Sequence, residues 1–223
     1  CSLGDSEMKM LKSITTASVL ALGLLGTNVS LHADEVSQSR DVATFTKIQV
    51  NGAVELKLVA GKDQSVQVTT DDRWIDQITT EVRNDTLIID MDDIDWNDDN
   101  DGILINITMA VLEELVVEGA VDADLEEIDS PELNLTINGA GDVEVSGKCG
   151  ELEVDIRGAG DISARELECE VASVSIFGAG DADVFSSKEI TAKLMGVGDV
   201  TVYGNPQKIT RSIFGLGDFR VRN

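Results

Sequence analysis

The chain has 223 residues, of which 42% are hydrophobic and 26% are charged, and its formal net charge is −25 at neutral pH. Such acidity argues against nucleic acid and anionic membranes as partners and favours cations or basic surfaces, although the solubility of an exported protein also explains it. The single histidine, His32, falls within a predicted export signal. The remaining chain has no imidazole for a Ser-His-Asp or Cys-His site, or for zinc or copper, and this excludes most hydrolase chemistries.

Residues 1–33 have the pattern of a signal peptide. Met8–Lys12 supplies a basic start and Ile14–Leu25 an apolar stretch, while residues 1–7 indicate a misplaced start. The apolar stretch is shorter than the ~20 residues that a membrane span needs, and no second such stretch follows. We therefore expect a single exported domain, residues 34–223, in the periplasm or at the surface of a bacterium, without a transmembrane segment.

The first part of the domain alternates apolar and polar residues as half-buried strands do. This alternation covers Ile48–Leu58 and Val66–Thr70. Glu81–Asp90 reads as a hairpin that turns at Asn84 and Asp85. These strands are predicted to form the first coils of a stack, or a cap that covers its open end.

An acidic segment with seven aspartates follows between residues 90 and 101. Asn97–Gly102 imitates the start of an EF-hand calcium loop, with Asp99 and Asp101 as candidate ligands. The twelfth position is Thr108 instead of a bidentate Glu, and the flanks read as strands instead of helices. The segment is thus either a solvated acidic loop or a weak cation site.

The last ninety or so residues repeat one motif, Gly-x-Gly-Asp, five times. A degenerate copy, Gly119-Ala-Val-Asp122, precedes them, and successive first glycines lie 20, 19, 20, 18 and 19 residues apart. Apolar residues alternate with polar ones on both sides of each motif, which indicates a strand, a corner and a second strand in every repeat. A period this regular predicts an all-β protein, a parallel β-helix-like solenoid with coils of about 19–20 residues.

The glycines and aspartates of the motif are the candidate site residues of the repeat. Glycine is expected at the corners because it permits positive φ and a close approach of neighbouring chains. The Asp carboxylate is expected to accept local backbone N–H groups; alternatively, the column of carboxylates binds calcium, the one cofactor considered. The corner glycines are Gly139, Gly141, Gly158, Gly160, Gly178, Gly180, Gly196, Gly198, Gly215 and Gly217, and the aspartates are Asp142, Asp161, Asp181, Asp199 and Asp218.

Two further features depend on the stacking of repeats. Cys149 and Cys169 are one repeat apart, so their Cα atoms should be separated by about the strand spacing, a distance at which a disulfide can form. The alternative is two free buried thiols. The outward residue before each corner becomes apolar in Phe177, Met195 and Phe214. This stripe is predicted to be a partner surface, unless a loop of the chain covers it.

Residues 42–223 resemble the head GIN domain of the putative auto-transporter adhesins. The motifs that carry the resemblance are Phe45-Thr-Lys-Ile48, Val50-Asn-Gly52, Leu87-Ile-Ile89, the Gly-Ala-Gly-Asp series, and Val202-Tyr-Gly-Asn-Pro206 followed by Gly215-Leu-Gly-Asp218. The resemblance implies a right-handed β-helix-like domain and an adhesive role, and it implies no catalytic residues.

The sequence therefore favours a non-enzymatic exported binding module that presents a repeat face to a protein or a cell-surface component, or to a second copy of itself. One alternative is a calcium-stabilised structural protein of the envelope. Another is a carbohydrate-active enzyme that uses a pair of Asp residues, although a catalytic site normally interrupts the regularity of a repeat.

Overall fold

A computed structural model of the chain describes residues 35–91 and 102–222, which belong to one compact unit, Ala33–Asn223. These residues are all-β, with twelve strands and no helix. The predicted signal peptide and the candidate ligands Asp99 and Asp101 lie outside them. The strands are β1 (Glu35–Ser39), β2 (Lys47–Val59), β3 (Ser65–Asp71), β4 (Ile78–Arg83), β5 (Thr86–Met91), β6 (Leu104–Thr108), β7 (Glu114–Ala179), β8 (Ala182–Phe185), β9 (Glu189–Val197), β10 (Val200–Tyr203), β11 (Lys208–Ile213) and β12 (Phe219–Arg222).

The alternation of apolar and polar residues creates the core. In β2, for example, Ile48, Val50, Leu56 and Leu58 are buried, whereas Lys57 between the last two is exposed. The same alternation runs through the later strands, so their apolar side chains join one continuous cluster. The strands predicted from period-two alternation are therefore confirmed.

Each repeat forms what we call a row: a first arm, a glycine corner and a second arm. Rows pair in parallel at the period of the sequence, so that Phe177 lies beside Met195 in the first arms of neighbouring rows. In the second arms, β10 lies between β8 and β12, with Val202 beside Val184 on one side and Val221 on the other. Apolar residues of one row thus pack on the equivalent residues of the next.

Strand β2 is a further row. It pairs in parallel with Glu114–Glu126 along its whole length, which places Gly52-Ala-Val-Glu55 beside Gly119-Ala-Val-Asp122. Its other side is paired with β5 in the first arm and with β6 in the second arm. After β2 the chain therefore forms β5 and β6 along one side of this strand, and it then returns along the other side to begin β7.

The sheet is mixed, whereas the sequence predicted a parallel arrangement. At the N-terminal end β4 pairs antiparallel with β5, β3 with β6, and β1 with β3. The predicted turn explains the first of these pairs, because Asn84 and Asp85 have φ of 50° and 63°, and a two-residue turn of this kind joins only antiparallel strands. The first strands thus supply both a row of the stack and an antiparallel cap, which were predicted as alternatives.

Candidate functional site

The glycine corners stack backbone on backbone. A Cβ atom added to Gly139 would lie 2.0 Å from the carbonyl oxygen of Gly119, and one added to Gly158 would lie 1.9 Å from that of Gly139. Both glycines also have φ near +150°, which side chains rarely permit. The corner is therefore glycine because the neighbouring row leaves no room for a side chain, as the sequence predicted.

The aspartates after the corners form a ladder of hydrogen bonds that runs from row to row. The carboxylates of the first four aspartates each accept the backbone N–H of the equivalent Asp in the next row. The N to Oδ1 distances are 3.4 Å for Asp161 to Asp142, and 2.7 Å for Asp181 to Asp161, Asp199 to Asp181 and Asp218 to Asp199. The prediction of local turn bonds is wrong, because the stacking brings a neighbouring row's N–H within reach of each carboxylate.

The Arg220 guanidinium closes this ladder at the C-terminal end. It donates to Oδ2 of Asp199 at 2.7 Å and to Oδ2 of Asp218 at 2.6 Å. The N–H of Asp218 and then this guanidinium lower the pKa of the Asp199 carboxyl below its ordinary 3.8. This guanidinium therefore offsets part of the repulsion between the carboxylates of Asp199 and Asp218.

The lowered pKa of Asp199 makes a pH-dependent contribution to stability. Because the folded pKa lies below the unfolded one, the stabilisation is complete above the ordinary value of 3.8 and is lost as the pH falls through the folded pKa. We expect Asp199→Asn, which keeps an acceptor for the N–H, to melt at a lower temperature than the wild type at neutral pH, with the difference vanishing in acid. Thermal melts across the acidic range measure this.

Asp142→Asn is the matched control for this experiment. Its carboxylate contacts the next N–H at the longer distance of 3.4 Å and has no arginine beside it among the described residues. At neutral pH we expect this variant to lower the melting temperature by less than Asp199→Asn does. Equal effects of the two substitutions at every pH would contradict the special role of Asp199.

The ladder does not gather ligands around one point. Among residues 35–91 and 102–222, no group of three or more His, Cys, Asp or Glu side chains is placed to hold a metal ion. The column offers one carboxylate per row, and Asp142, Asp161, Asp181 and Asp199 already accept an N–H. Calcium binding by this column stays a prediction.

The disulfide predicted from the repeat period is present. Cys149 and Cys169 are bonded, with their Cα atoms 4.5 Å apart. They lie in the segments that connect one row to the next, in a column where the neighbouring rows carry the buried residues Ser130 and Ser186. The alternative of two free buried thiols is wrong, and the bond links two successive rows.

The residues before the corners change from polar to apolar along the stack. Asn138 donates to Glu118 of the preceding row at 2.8 Å, and Arg157 donates to Asn138 at 3.4 Å. Phe177, Met195 and Phe214 continue the same column, as predicted. In this column, polar side chains that hydrogen-bond between rows are thus followed by three side chains that are apolar.

These three residues are covered to different degrees. Phe177 is half-buried, and the ammonium of Lys193 lies 4.9 Å from its ring centroid. Met195 is 45% exposed and Phe214 is 69% exposed, so no loop of the described chain covers them. The part of the stripe nearest to β11 and β12 is therefore exposed.

Sequence reasoning missed two residues of the same surface. The middle residue of the Gly-x-Gly corner is alanine in the earlier copies but Val197 and Leu216 in the last two, and these side chains are 54% and 74% exposed. They lie next to each other in a parallel bridge. The increase in size from Ala to Leu was the available signal. With Phe177, Met195 and Phe214 they form what we call the apolar patch.

The fold and this surface define an all-β repeat protein with a polar ladder behind its corners and an apolar patch on its last rows. The sequence profile of the family described as putative auto-transporter adhesin, head GIN domain, matches residues 44–206. The chain therefore belongs to this family, as the motifs indicated. No curated protein matches the chain.

Solved structures share the fold. A putative adhesin from Bacteroides fragilis is 21% identical, with a TM-score of 0.70 over 86% of this chain and 98% of that one. A putative adhesin from Parabacteroides distasonis is 19% identical, with a TM-score of 0.52 over 85% of this chain and 98% of that one. At these identities the similarity establishes the fold alone. Within the described part of the chain, no helix has the length and apolarity to cross a membrane.

Proposed function

We propose that this protein is a non-enzymatic binding module of the adhesin type, exported to the periplasm or the cell surface. One observation carries the proposal: within the described residues, every large hydrophobic side chain that is strongly exposed lies in the last two rows. These side chains are Met195, Val197, Ile209, Phe214, Leu216 and Val221. Apolar surface concentrated in one place is typical of a docking site.

The proposal also concerns the architecture that carries the apolar patch. The parallel pairing of successive rows at the repeat period is consistent with a right-handed β-helix-like solenoid, the geometry that the family resemblance implied. Such a scaffold presents equivalent positions in straight columns. The patch is then the apolar end of a column whose other positions are hydrogen-bonded between rows, for example Asn138 to Glu118.

A protein is the partner that best fits the patch. The exposed side chains are aliphatic apart from Phe214, whereas sugar-binding surfaces usually present several exposed aromatic rings. Packing of Phe214, Met195 and Leu216 against a complementary apolar surface would remove them from water, and this burial of apolar area favours association.

Substitution of the patch tests this proposal. We expect Met195→Ser combined with Phe214→Ser to abolish cross-linking of the tagged protein to its partner in the native bacterium, because both side chains are exposed and contribute to docking. Cross-linking followed by mass spectrometry compares the wild type and the variant.

The control variant changes residues at the equivalent position of earlier repeats, far from the patch. Asn51→Ser with Asn138→Ser changes two residues that also stand just before a corner, in earlier rows. This variant should retain the partner. If the patch variant melts like the wild type and still cross-links to the same protein, the patch is not the docking site.

A further inference from the structure

The outward side chains of the last three described rows form four columns that run along the stack. Within each row, the order from the first arm to the second arm is a hydrogen-bond donor, two apolar residues and an aspartate. The apolar patch therefore has donors along one edge and carboxylates along the other. The donor column is Ser175, Lys193 and Ser212, the apolar columns are Phe177, Met195 and Phe214 and then Ala179, Val197 and Leu216, and the acceptor column is Asp181, Asp199 and Asp218.

The donors along the first edge have no polar partner within the described residues. The Lys193 ammonium makes no ion pair there and lies 4.9 Å from the centroid of the Phe177 ring. The Ser175 and Ser212 hydroxyls make no hydrogen bond in this part of the chain, and neither side chain is buried. This edge can therefore donate to another molecule.

The carboxylates along the second edge keep acceptor capacity. Asp181 is exposed and accepts the N–H of Asp199 through Oδ1, while its Oδ2 has no polar contact among the described residues. Asp199 uses Oδ1 for the N–H of Asp218 and Oδ2 for Arg220, and each carboxylate oxygen has two lone pairs. This edge can therefore accept hydrogen bonds from another molecule.

This order of columns is complementary to itself. In each row the donor and the aspartate are equally far from the glycine between the two apolar columns, as Lys193 and Asp199 are from Gly196. A two-fold axis along the glycine column would place the donor column of each copy opposite the aspartate column of the other, and Met195 opposite Val197. An axis across the columns would instead set carboxylates against carboxylates. Charge thus selects the arrangement in which the two stacks run parallel.

We propose that the partner of the apolar patch is a second copy of this chain, bound in a parallel two-fold dimer. The proposal rests on the docking role of the patch proposed above and names its occupant. Met195 and Val197 are 45% and 54% exposed although a row lies on either side of them, and the dimer removes them from water. Because both copies use the same surface, the assembly closes at two copies.

The contact is small and confined to these three rows. Three rows of four outward side chains are fewer than the roughly 20–30 residues a side of a standard interface. In the preceding row Asp155 occupies the donor column and would meet Asp161 of the second copy, so like charges end the contact there. We therefore expect a weak dimer whose population rises with protein concentration.

Sedimentation velocity at two salt concentrations tests for this dimer. Each copy has a net charge of −25, so two copies repel each other at long range. The screening length falls from about 30 Å at about 0.01 M salt to about 8 Å at about 0.15 M. Raising the salt should therefore strengthen the dimer, because it weakens the overall repulsion more than the short contacts of the interface. Species larger than a dimer should be absent.

Substitutions in the patch and at its edge test the surface. Met195→Ser with Phe214→Ser should weaken the dimer at least about tenfold, because it removes apolar area from both copies. Lys193→Glu should weaken it at least about tenfold too, because a carboxylate then faces Asp199 of the second copy. Lys193→Arg is the matched control. It keeps the charge and the contact with the Phe177 ring, and it should dimerise like the wild type.

Cross-linking of single cysteines tests the geometry. Ser212 and Asp218 lie on opposite edges of one row, six residues apart, or up to about 20 Å along the strand. The Asp218 carboxylate accepts no N–H within the described ladder, so its replacement leaves the ladder bonds in place. A mixture of Ser212→Cys and Asp218→Cys should give covalent dimers with a short bismaleimide, whereas either variant alone should give few.

Several results would overturn the proposal. A wild type that stays monomeric at both salt concentrations, or that forms species larger than a dimer, does not pair through a two-fold patch. A dimer that Lys193→Glu leaves unchanged does not set this edge against the aspartates, and cross-linking as strong in each cysteine variant alone as in the mixture excludes the parallel arrangement. If the wild type is monomeric while the patch variant loses a cross-link to a different protein in the native bacterium, the docking site is right and the second copy is wrong. Thermal melting of every variant checks that the fold is intact.

Discussion

Replacing Gly158 with alanine is expected to destabilise the protein by roughly 3–5 kcal/mol, the sum of overpacking and backbone strain. The added Cβ would lie 1.9 Å from the carbonyl oxygen of Gly139, and φ at this position is +151°. The contact is with backbone, so no side chain can rotate away. For a domain of this size such a loss lowers the melting temperature by about 10 °C or more. Thermal or urea denaturation measures it.

Gly61→Ala is a control for a positive φ without a backbone clash. Gly61 also has positive φ, +73°, but nothing lies within 4 Å of an added Cβ atom. Only the strain remains, and about 1 kcal/mol is expected. If Gly158→Ala costs no more than Gly61→Ala, neighbouring rows are not in backbone contact at the corners, and the stacking of glycines is wrong.

Much of the architecture was predictable because it repeats. Gly158 and Gly178 recur at the period that separates rows, and the apolar pairs on either side of each corner give the strands and their inward faces. The same period placed Cys149 and Cys169 in neighbouring rows, where they are bonded. In a repeat of this kind, residues one period apart in the sequence are neighbours in adjacent rows, so these predictions needed no further information.

The order of the first strands was not predictable from the period. β5 and β6 pair with one side of β2 and β7 pairs with the other, although β2 precedes all three in the sequence. Nothing local records this order, because both sides of β2 offer the same backbone groups and the same alternating apolar face. The sequence left open whether the first strands form coils or a cap, since Gly52-Ala-Val-Glu55 lacks both the second glycine and the aspartate of the motif.

The candidate site was predictable in position but not in contacts. Phe177, Met195 and Phe214 align because they share a place in the repeat, yet only the structure separates the half-buried Phe177 under Lys193 from the exposed Phe214. The contacts of the aspartates were likewise not predictable from the sequence. A sequence predicts that a carboxylate at a corner accepts an N–H, but it does not say whether that N–H belongs to the same row or to the next, as it does for Asp181 and Asp199.

Removing the disulfide is expected to destabilise the protein by about 3 kcal/mol, the entropy that a crosslink of this span removes from the unfolded chain. The variant is Cys149→Ser with Cys169→Ser. Serine is compatible with this column, because Ser130 and Ser186 are buried in the neighbouring connecting segments. Each has its hydroxyl satisfied there, Ser130 by the carbonyl of Glu132 at 2.8 Å and Ser186 by that of Glu189 at 2.7 Å. Most of the loss should therefore come from the crosslink and little from the side chains.

Urea denaturation of the oxidised and reduced wild type and of the double variant separates these contributions. Reduction should lower the stability of the wild type to about that of the variant and leave the variant unchanged. The bond joins two rows in the middle of the stack, and each row is stabilised by its neighbours, so its loss should weaken the rows on both sides together. A reduced wild type as stable as the oxidised one would mean that row stacking alone holds this part of the fold and that the crosslink constrains little of the unfolded chain.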